Sequence, residues 1–202
     1  MVFATNNKNK ANELSEMLRA EGVNVKTLSA LGLILVPGED GNTFEANALQ
    51  KATETSTFLK KMGHLDEAII ADDSGLEIDA MDGEPGVDSA LFMGENTPYE
   101  IRNAEIIRRL EGVPKEKRTA RFVCVIACAL PTGETFTTRG VIEGEIAHKP
   151  QGENGFGYDP IFFVPSLGKT TAQLSSKEKN KISHRGQALR AMVAKLKGDG
   201  LV

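Results

Sequence analysis

The sequence predicts an α/β domain, and three observations carry the prediction. A short apolar run, Val2–Ala4, passes through a polar segment into a pattern with Ala11, Leu14, Met17 and Leu18 on one face, which is strand, turn and helix in succession. Further apolar runs at Ala68–Ala71 and Arg121–Leu130 suit buried strands. Helical periodicity returns from Asn42 or Thr43 to about Met62, from Pro98 to Leu110, and near the end with Leu189, Met192 and Leu196 at i, i+3 and i+7. The 202 residues are read as a single domain, 1–202, with room for two closely packed lobes.

The polar segment Thr5-Asn6-Asn7-Lys8-Asn9-Lys10 is a candidate phosphate cradle. Asn tolerates left-handed backbone and can turn amide N–H groups inward. The helix N-terminus adds a partial positive charge, and Lys8 or Lys10 a full one. The GxxxxGK[ST] pattern of a P-loop is absent, and an Asn-rich helix cap with solvated lysines is the alternative. Val23–Val36 is expected to hold a strand and a connection, broken at Gly32. In the long second helix Phe44, Ala48, Ala52, Leu59 and Met62 form the expected buried stripe. Glu45 lies three residues after Asn42, where a capping-box acid sits; it is equally an acid at a helix start available to a metal.

Ala68–Ala71 is expected to end abruptly in Asp72 and Asp73, followed by Ser74-Gly75. Ligands of α/β proteins collect beyond the carboxyl ends of strands, and two acids there suggest a divalent cation or a general base. Neighbouring strand residues point to opposite faces, so one acid faces a given cleft and the other is structural. A plain Asp-Asp-Ser-Gly turn is the alternative. Gly83–Gly86 is a turn signal, and Pro98 suits the first turn of the third helix, with Ile106, Ile107 and Leu110 inward. Arg121–Leu130, Thr135–Arg139 and Val141–Ala147 read as an antiparallel meander of three strands.

In the segment Gly155-Phe156-Gly157-Tyr158-Asp159 glycine permits close backbone approach to a ligand, and Phe156 or Tyr158 can stack on a flat ring. A loop anchored by two core aromatics is the alternative. Ser175–Glu178 fits a capping box. Beyond it Lys179, Lys181, His184 and Arg185 gather four donors in seven residues, with Ser183 placed to cap the last helix; the alternative is a solvated basic helix start.

Composition narrows the class. Hydrophobic content of 40% and charged content of 26% suit a soluble globular protein. A net charge of −4 offers no basic excess for a nucleic-acid polymer. Cys124 and Cys128, four apart in an apolar run, are expected as buried free thiols. No apolar stretch approaches the ~20 residues that span a bilayer, and without a signal-peptide pattern the expected location is cytoplasmic.

Taken together, a phosphate cradle, central acids, an aromatic Gly-rich loop and a late donor cluster describe a nucleotide site. The segments Ala4–Lys10, Phe44–Ala52, Ala71–Leu76, Pro85–Ala90, Gly155–Phe163 and Lys181–Leu189, in that order, resemble those of the inosine triphosphate pyrophosphatase family, the HAM1-like non-canonical purine NTP pyrophosphatases. The resemblance implies an ITPase-like fold: a long twisted mixed sheet flanked by helices, with two lobes around a central cleft. It implies a homodimer and a Mg²⁺-dependent hydrolysis of ITP, dITP and XTP to the monophosphate and pyrophosphate, cleansing the nucleotide pool. Carried over by residue, Thr5, Asn6, Asn7, Lys8, Asn9 and Lys10 bind phosphate. Asp73 is catalytic and a metal ligand, with Glu45 the second metal ligand. Ser74 contacts substrate, Phe156, Gly157, Tyr158 and Asp159 hold base and sugar, and Lys179, His184 and Arg185 recognise the purine.

Overall fold

The computed structural model describes residues 1–5, 7–35, 37–64 and 66–201. The strands are β1 (Val2–Phe3), β2 (Lys26–Thr27), β3 (Ile69–Ile78), β4 (Thr119–Ala129), β5 (Thr135–Ile146), β6 (Phe162–Val164) and β7 (Lys169–Thr170). The helices are α1 (Lys8–Ala20), α2 (Phe44–Lys61), α3 (Tyr99–Arg109), α4 (Ser176–Ile182) and α5 (His184–Gly198). The strands form one sheet in the order β2-β1-β3-β4-β5-β6-β7. β1 runs parallel to β2 and β3, whereas β6 is antiparallel to β5 and to β7, so the sheet is mixed, as expected.

The chain divides into two compact units. One comprises Met1–Asp73, Cys124–Gly140 and His184–Val202, the other Ser74–Val123 and Val141–Ser183. In the first, Phe3, Ile70 and the alternate residues Cys124, Ile126, Cys128 and Leu130 pack with Leu14 and Leu18 of α1 and Leu189, Met192 and Leu196 of α5. In the second, Leu76 and Ile78 of β3 join Ile106 and Leu110, and Phe122 of β4 lies 4.3 Å from Phe162 of β6, ring centre to ring centre. Each core is a strand face of period two meeting a helix stripe of period 3.6.

Both cysteines are buried thiols outside any disulfide, and burial pushes the Cys128 thiol up to about 11. A thiol reagent at pH 8 is therefore expected to leave the native protein unlabelled and to modify both cysteines after unfolding in guanidinium, as mass spectrometry would count. Rapid labelling of native protein would contradict this core.

Four expectations need correction. β3 does not stop at the acids: it runs on through Asp72, Asp73, Ser74 and Gly75 to Ile78. The turn chemistry of Asp-Asp-Ser-Gly is overridden because Leu76 and Ile78 are fully buried while Glu77 between them is not, an alternation that keeps the chain extended. Ser89 Oγ also accepts from the Leu76 N–H at 2.8 Å.

The two strands expected around Gly140 are one, β5. A Cβ at Gly140 would collide with the His184 carbonyl oxygen and lie 2.6 Å from the Ala188 nitrogen. The glycine is there so that β5 can pass against the start of α5, not to end a strand.

α2 is capped by Thr43, whose Oγ1 accepts from the Ala46 N–H at 3.1 Å, not by Asn42. Glu45 is thus out of register with a capping box. Met62, assigned to the buried stripe, lies just past the helix and is exposed. Between Val23 and Val36 the strand is only the two-residue β2, followed by a short 3-10 turn at Ser29–Leu31; Val36 is outside the described residues. The Ser175 capping box is present, with Ser175 N–H on Glu178 Oε2 at 2.8 Å and Glu178 N–H on Ser175 Oγ at 3.3 Å. Among the described residues no helix is long and apolar enough to cross a membrane.

Candidate functional site

In the first unit the two acids of β3 point to different partners, as strand alternation requires. Asp72 Oδ2 lies 3.0 Å from Lys10 Nζ and 3.7 Å from Arg185 Nε. Asp73 Oδ1 accepts from Lys51 Nζ at 2.9 Å, and its Oδ2 from Asn47 Nδ2 at 3.2 Å. Both carboxylates are almost fully buried. Burial pushes the Asp72 carboxyl up, but Lys10, Arg185 and Lys51 together outweigh it and hold it well below the usual carboxylate range. At Asp73 burial wins over Lys51, Lys10 and Asn47, and the carboxyl is raised. Asp72 is therefore a fixed anion, while Asp73 is the one whose basicity is enhanced.

Lys51 and Asn47 were missed by sequence reading. They lie four residues apart on α2, one turn of the helix, and so face β3 together. Lys51 belongs to the stripe of Ala48, Ala52 and Thr55, all buried. A lysine on a buried stripe requires acidic partners, and that was the available signal. Burial disfavours its charge, but Asp73, Asp72 and Glu39 outweigh this and raise its pKa; Glu39 Oε1 stands 2.9 Å from its Nζ. Asn47 is fixed in turn, since its Oδ1 accepts from the Gly41 N–H at 2.7 Å.

The Thr5–Lys10 segment is more self-contained than a cradle of free amides. Asn7 caps α1, its Oδ1 accepting from the N–H groups of Asn9 at 3.0 Å and Lys10 at 3.2 Å. Thr5 Oγ1 accepts from the Asn7 N–H. Asn7, Lys8 and Asn9 are exposed, whereas Lys10 is drawn onto Asp72. Asn6 lies outside the described residues. The first turn of α1 carries no acid, so two lysines stand against the helix dipole, an arrangement that favours an anion there. Glu45 is half-exposed, with its carboxylate 2.7 Å from Arg139 Nη1. Arg185 is buried with His184 at the start of α5, and its Nη1 donates to Glu13 Oε2 at 2.5 Å.

In the second unit the Gly155–Asp159 segment is built on two left-handed glycines, Gly155 at φ 73° and Gly157 at φ 69°, which a side chain would strain. Asp159 holds the loop from inside. Its Oδ2 accepts from the Phe156 N–H at 2.8 Å and from Lys179 Nζ at 2.5 Å, and its Oδ1 from Thr171 Oγ1 at 2.7 Å. The Lys179 ammonium also stands 4.9 Å from the Phe156 ring centre, a cation–π contact. Of the two aromatics considered for stacking, Tyr158 is turned inward, 4% exposed, with its hydroxyl donating to the Ser89 carbonyl at 2.7 Å. Phe156 is half-exposed and is the ring left to meet a ligand. Ser74 follows Asp73 on β3 and is half-buried.

The late donor cluster is thus divided: Lys179 belongs to the second unit, and His184 and Arg185 to the first. Among the described residues no group of three or more His, Cys, Asp or Glu side chains is gathered to hold a metal. Mg²⁺ takes one or two carboxylates and completes its shell with phosphate and water oxygens.

The sequence profile of the Ham1 family matches residues 1–195. A dITP/XTP pyrophosphatase from an Exiguobacterium species is 50% identical over 97% of this chain and 96% of its own. The dITP/XTP pyrophosphatase of Bacillus subtilis is 46% identical over 95% of this chain and 93% of its own. Among solved structures, a Staphylococcus aureus Ham1 protein superposes with a TM-score of 0.85 at 41% identity, and a Coxiella burnetii HAM1 protein with 0.84 at 39%, each covering 98% of both chains.

Proposed function

The chain belongs to the Ham1 family, and from that membership we propose that it is a nucleoside-triphosphate pyrophosphatase hydrolysing ITP, dITP and XTP to the monophosphate and pyrophosphate. Its role is to clear non-canonical purines from the nucleotide pool. The observation that carries the reading is Asp73: a buried carboxylate of raised pKa, oriented by Lys51 and Asn47 from one helix turn. Such a group holds a water by one oxygen and takes its proton as the water attacks the α-phosphorus. The bond from that phosphorus to the bridging oxygen then breaks, and pyrophosphate leaves with the charge. Lys8 and Lys10, in the Thr5–Lys10 segment at the positive end of α1, stabilise the departing oxygens.

Asp73 and Glu45 are the carboxylates that would hold Mg²⁺. When bound, the ion neutralises phosphate charge and orients the leaving group. Ser74 contacts the substrate, Phe156 and Gly157 bear on the base and sugar, and Tyr158 and Asp159 act by fixing that loop. Lys179, His184 and Arg185 supply donors, which suit the 6-oxo acceptor of hypoxanthine and xanthine. Adenine presents a donor at position 6, and guanine adds a 2-amino donor that xanthine lacks. Each unmatched buried polar group costs roughly 1–3 kcal/mol, so two give ~100-fold discrimination or more. We extend the proposal to a cytoplasmic homodimer acting on free nucleotides and not on a nucleic-acid polymer. The family resemblance supports the dimer, and the buried thiols and net charge of −4 support the rest.

The test is product identity across a triphosphate panel with and without Mg²⁺. Pyrophosphate from ITP, dITP and XTP, Mg²⁺-dependent and scarce from ATP and GTP, is the expected result. Orthophosphate, or binding without any product as in a nucleotide sensor, would refute the reaction. Faster turnover of uridine or methylated pyrimidine triphosphates would refute the substrate class.

A further inference from the structure

We propose that Asn103 on α3 is a positioning residue for purine recognition, acting through the Gly157 carbonyl; the inference rests on the reading of Gly155–Asp159 as the base-binding loop. Asn103 is 3% exposed, and its Nδ2 donates to the Gly157 carbonyl at 3.2 Å. Phe156 sits between two glycines in left-handed conformations, and glycine does little to restrict its own backbone. The ring's direction must therefore be fixed from outside the loop backbone. Two bonds do so from either side. Asp159 holds the Phe156 N–H, and Asn103 holds the carbonyl of the next residue.

The helix that carries Asn103 is itself pinned. Arg102 donates to the carbonyls of Ser89, Ala90, Gly94 and Glu95 at 2.7–3.3 Å. Its guanidinium lies 4.8 Å from the centre of the Tyr99 ring, which meets Tyr158 edge to face at 5.2 Å. Asn103 thus reaches the loop from a rigid support. Its Oδ1 is buried with no hydrogen-bond partner among the described residues. A position serving packing alone is better filled by leucine, which has the same shape and no orphaned acceptor. The amide orientation follows from the same contact, because the flipped form would set Oδ1 against the Gly157 oxygen.

The experiment compares wild type with Asn103→Leu, and with Asn103→Ala should the leucine not be accommodated. It measures calorimetric Kd for inosine monophosphate and for pyrophosphate, kcat and KM for dITP, and Tm. Expected are a Tm close to wild type for Asn103→Leu and lower for Asn103→Ala, and in either variant inosine monophosphate binding weakened about tenfold, pyrophosphate binding unchanged, and a rise in KM with kcat nearly constant. Unchanged inosine monophosphate affinity in both variants would overturn the proposal. So would parallel loss of inosine monophosphate and pyrophosphate binding with a fall in Tm, the mark of a merely structural role. If wild type releases no pyrophosphate from dITP, the functional reading fails and takes this inference with it; wild-type turnover with an unaffected variant removes the inference alone.

Discussion

Asp73→Asn is expected to lower kcat on dITP by on the order of 10³-fold, the scale of a positioned general base, with KM changed little and Tm close to wild type. The near-constant Tm follows from two opposed effects. The folded-state pKa of Asp73 lies above its unfolded value, so the native state binds that proton more tightly, and stability falls as pH rises through the interval between the two values. At neutral pH the ionised carboxylate is therefore a local cost that Asn removes. Against this, Lys51 loses one anionic partner. Asn retains an oxygen for the 2.9 Å contact, losing only the bond from Asn47 Nδ2, and Glu39 still faces Lys51 at 2.9 Å. Asp72→Asn differs in sign: its depressed pKa means that its stabilisation is present above the unfolded value and lost only as pH falls toward the folded one. Full activity in Asp73→Asn, measured by pyrophosphate release beside a thermal melt, would remove Asp73 from the chemistry.

What the sequence made legible was what lies in one stretch of chain. The start of α1, the apolar strands, the Ser175 capping box and the Gly-flanked loop each announce themselves by local spacing. Asp73 and Asp72 could be separated into different faces by alternation, but not told apart in role, because the partners that distinguish them arrive from α1, α2 and α5. Lys51 is 22 residues from Asp73 in sequence, and Glu13 is 172 from Arg185; no periodicity reports such pairs. Gly140 shows the opposite failure. Its local signal was read as a break, whereas its meaning lies in the His184 carbonyl that passes beside it. Tyr158 and Phe156 look alike as loop aromatics, and only the Ser89 carbonyl beneath one of them decides which turns inward.

Asp159→Ala is expected to be the most destabilising single change at the candidate site. Asp159 and Lys179 have side chains 3% and 6% exposed, and removing one member of a buried pair costs about 3–5 kcal/mol, a fall in Tm of roughly 10 °C or more at this chain length. The loss also strips the acceptor from the Phe156 N–H and from Thr171 Oγ1. Charge and loop geometry can be separated by a second variant, Asp159→Asn combined with Lys179→Met. It removes both charges together, and Asn keeps an oxygen for the loop. That double variant is expected to recover most of the Tm, because no buried ammonium is left without its carboxylate. It is not expected to recover inosine monophosphate binding, since Lys179 is a proposed purine donor and the cation above the Phe156 ring. Recovery of both would mean that Lys179 serves the fold alone. A double variant as unstable as Asp159→Ala would place the loss in the bonds from Thr171 and Phe156, making the carboxylate's geometry, more than its charge, what holds the loop.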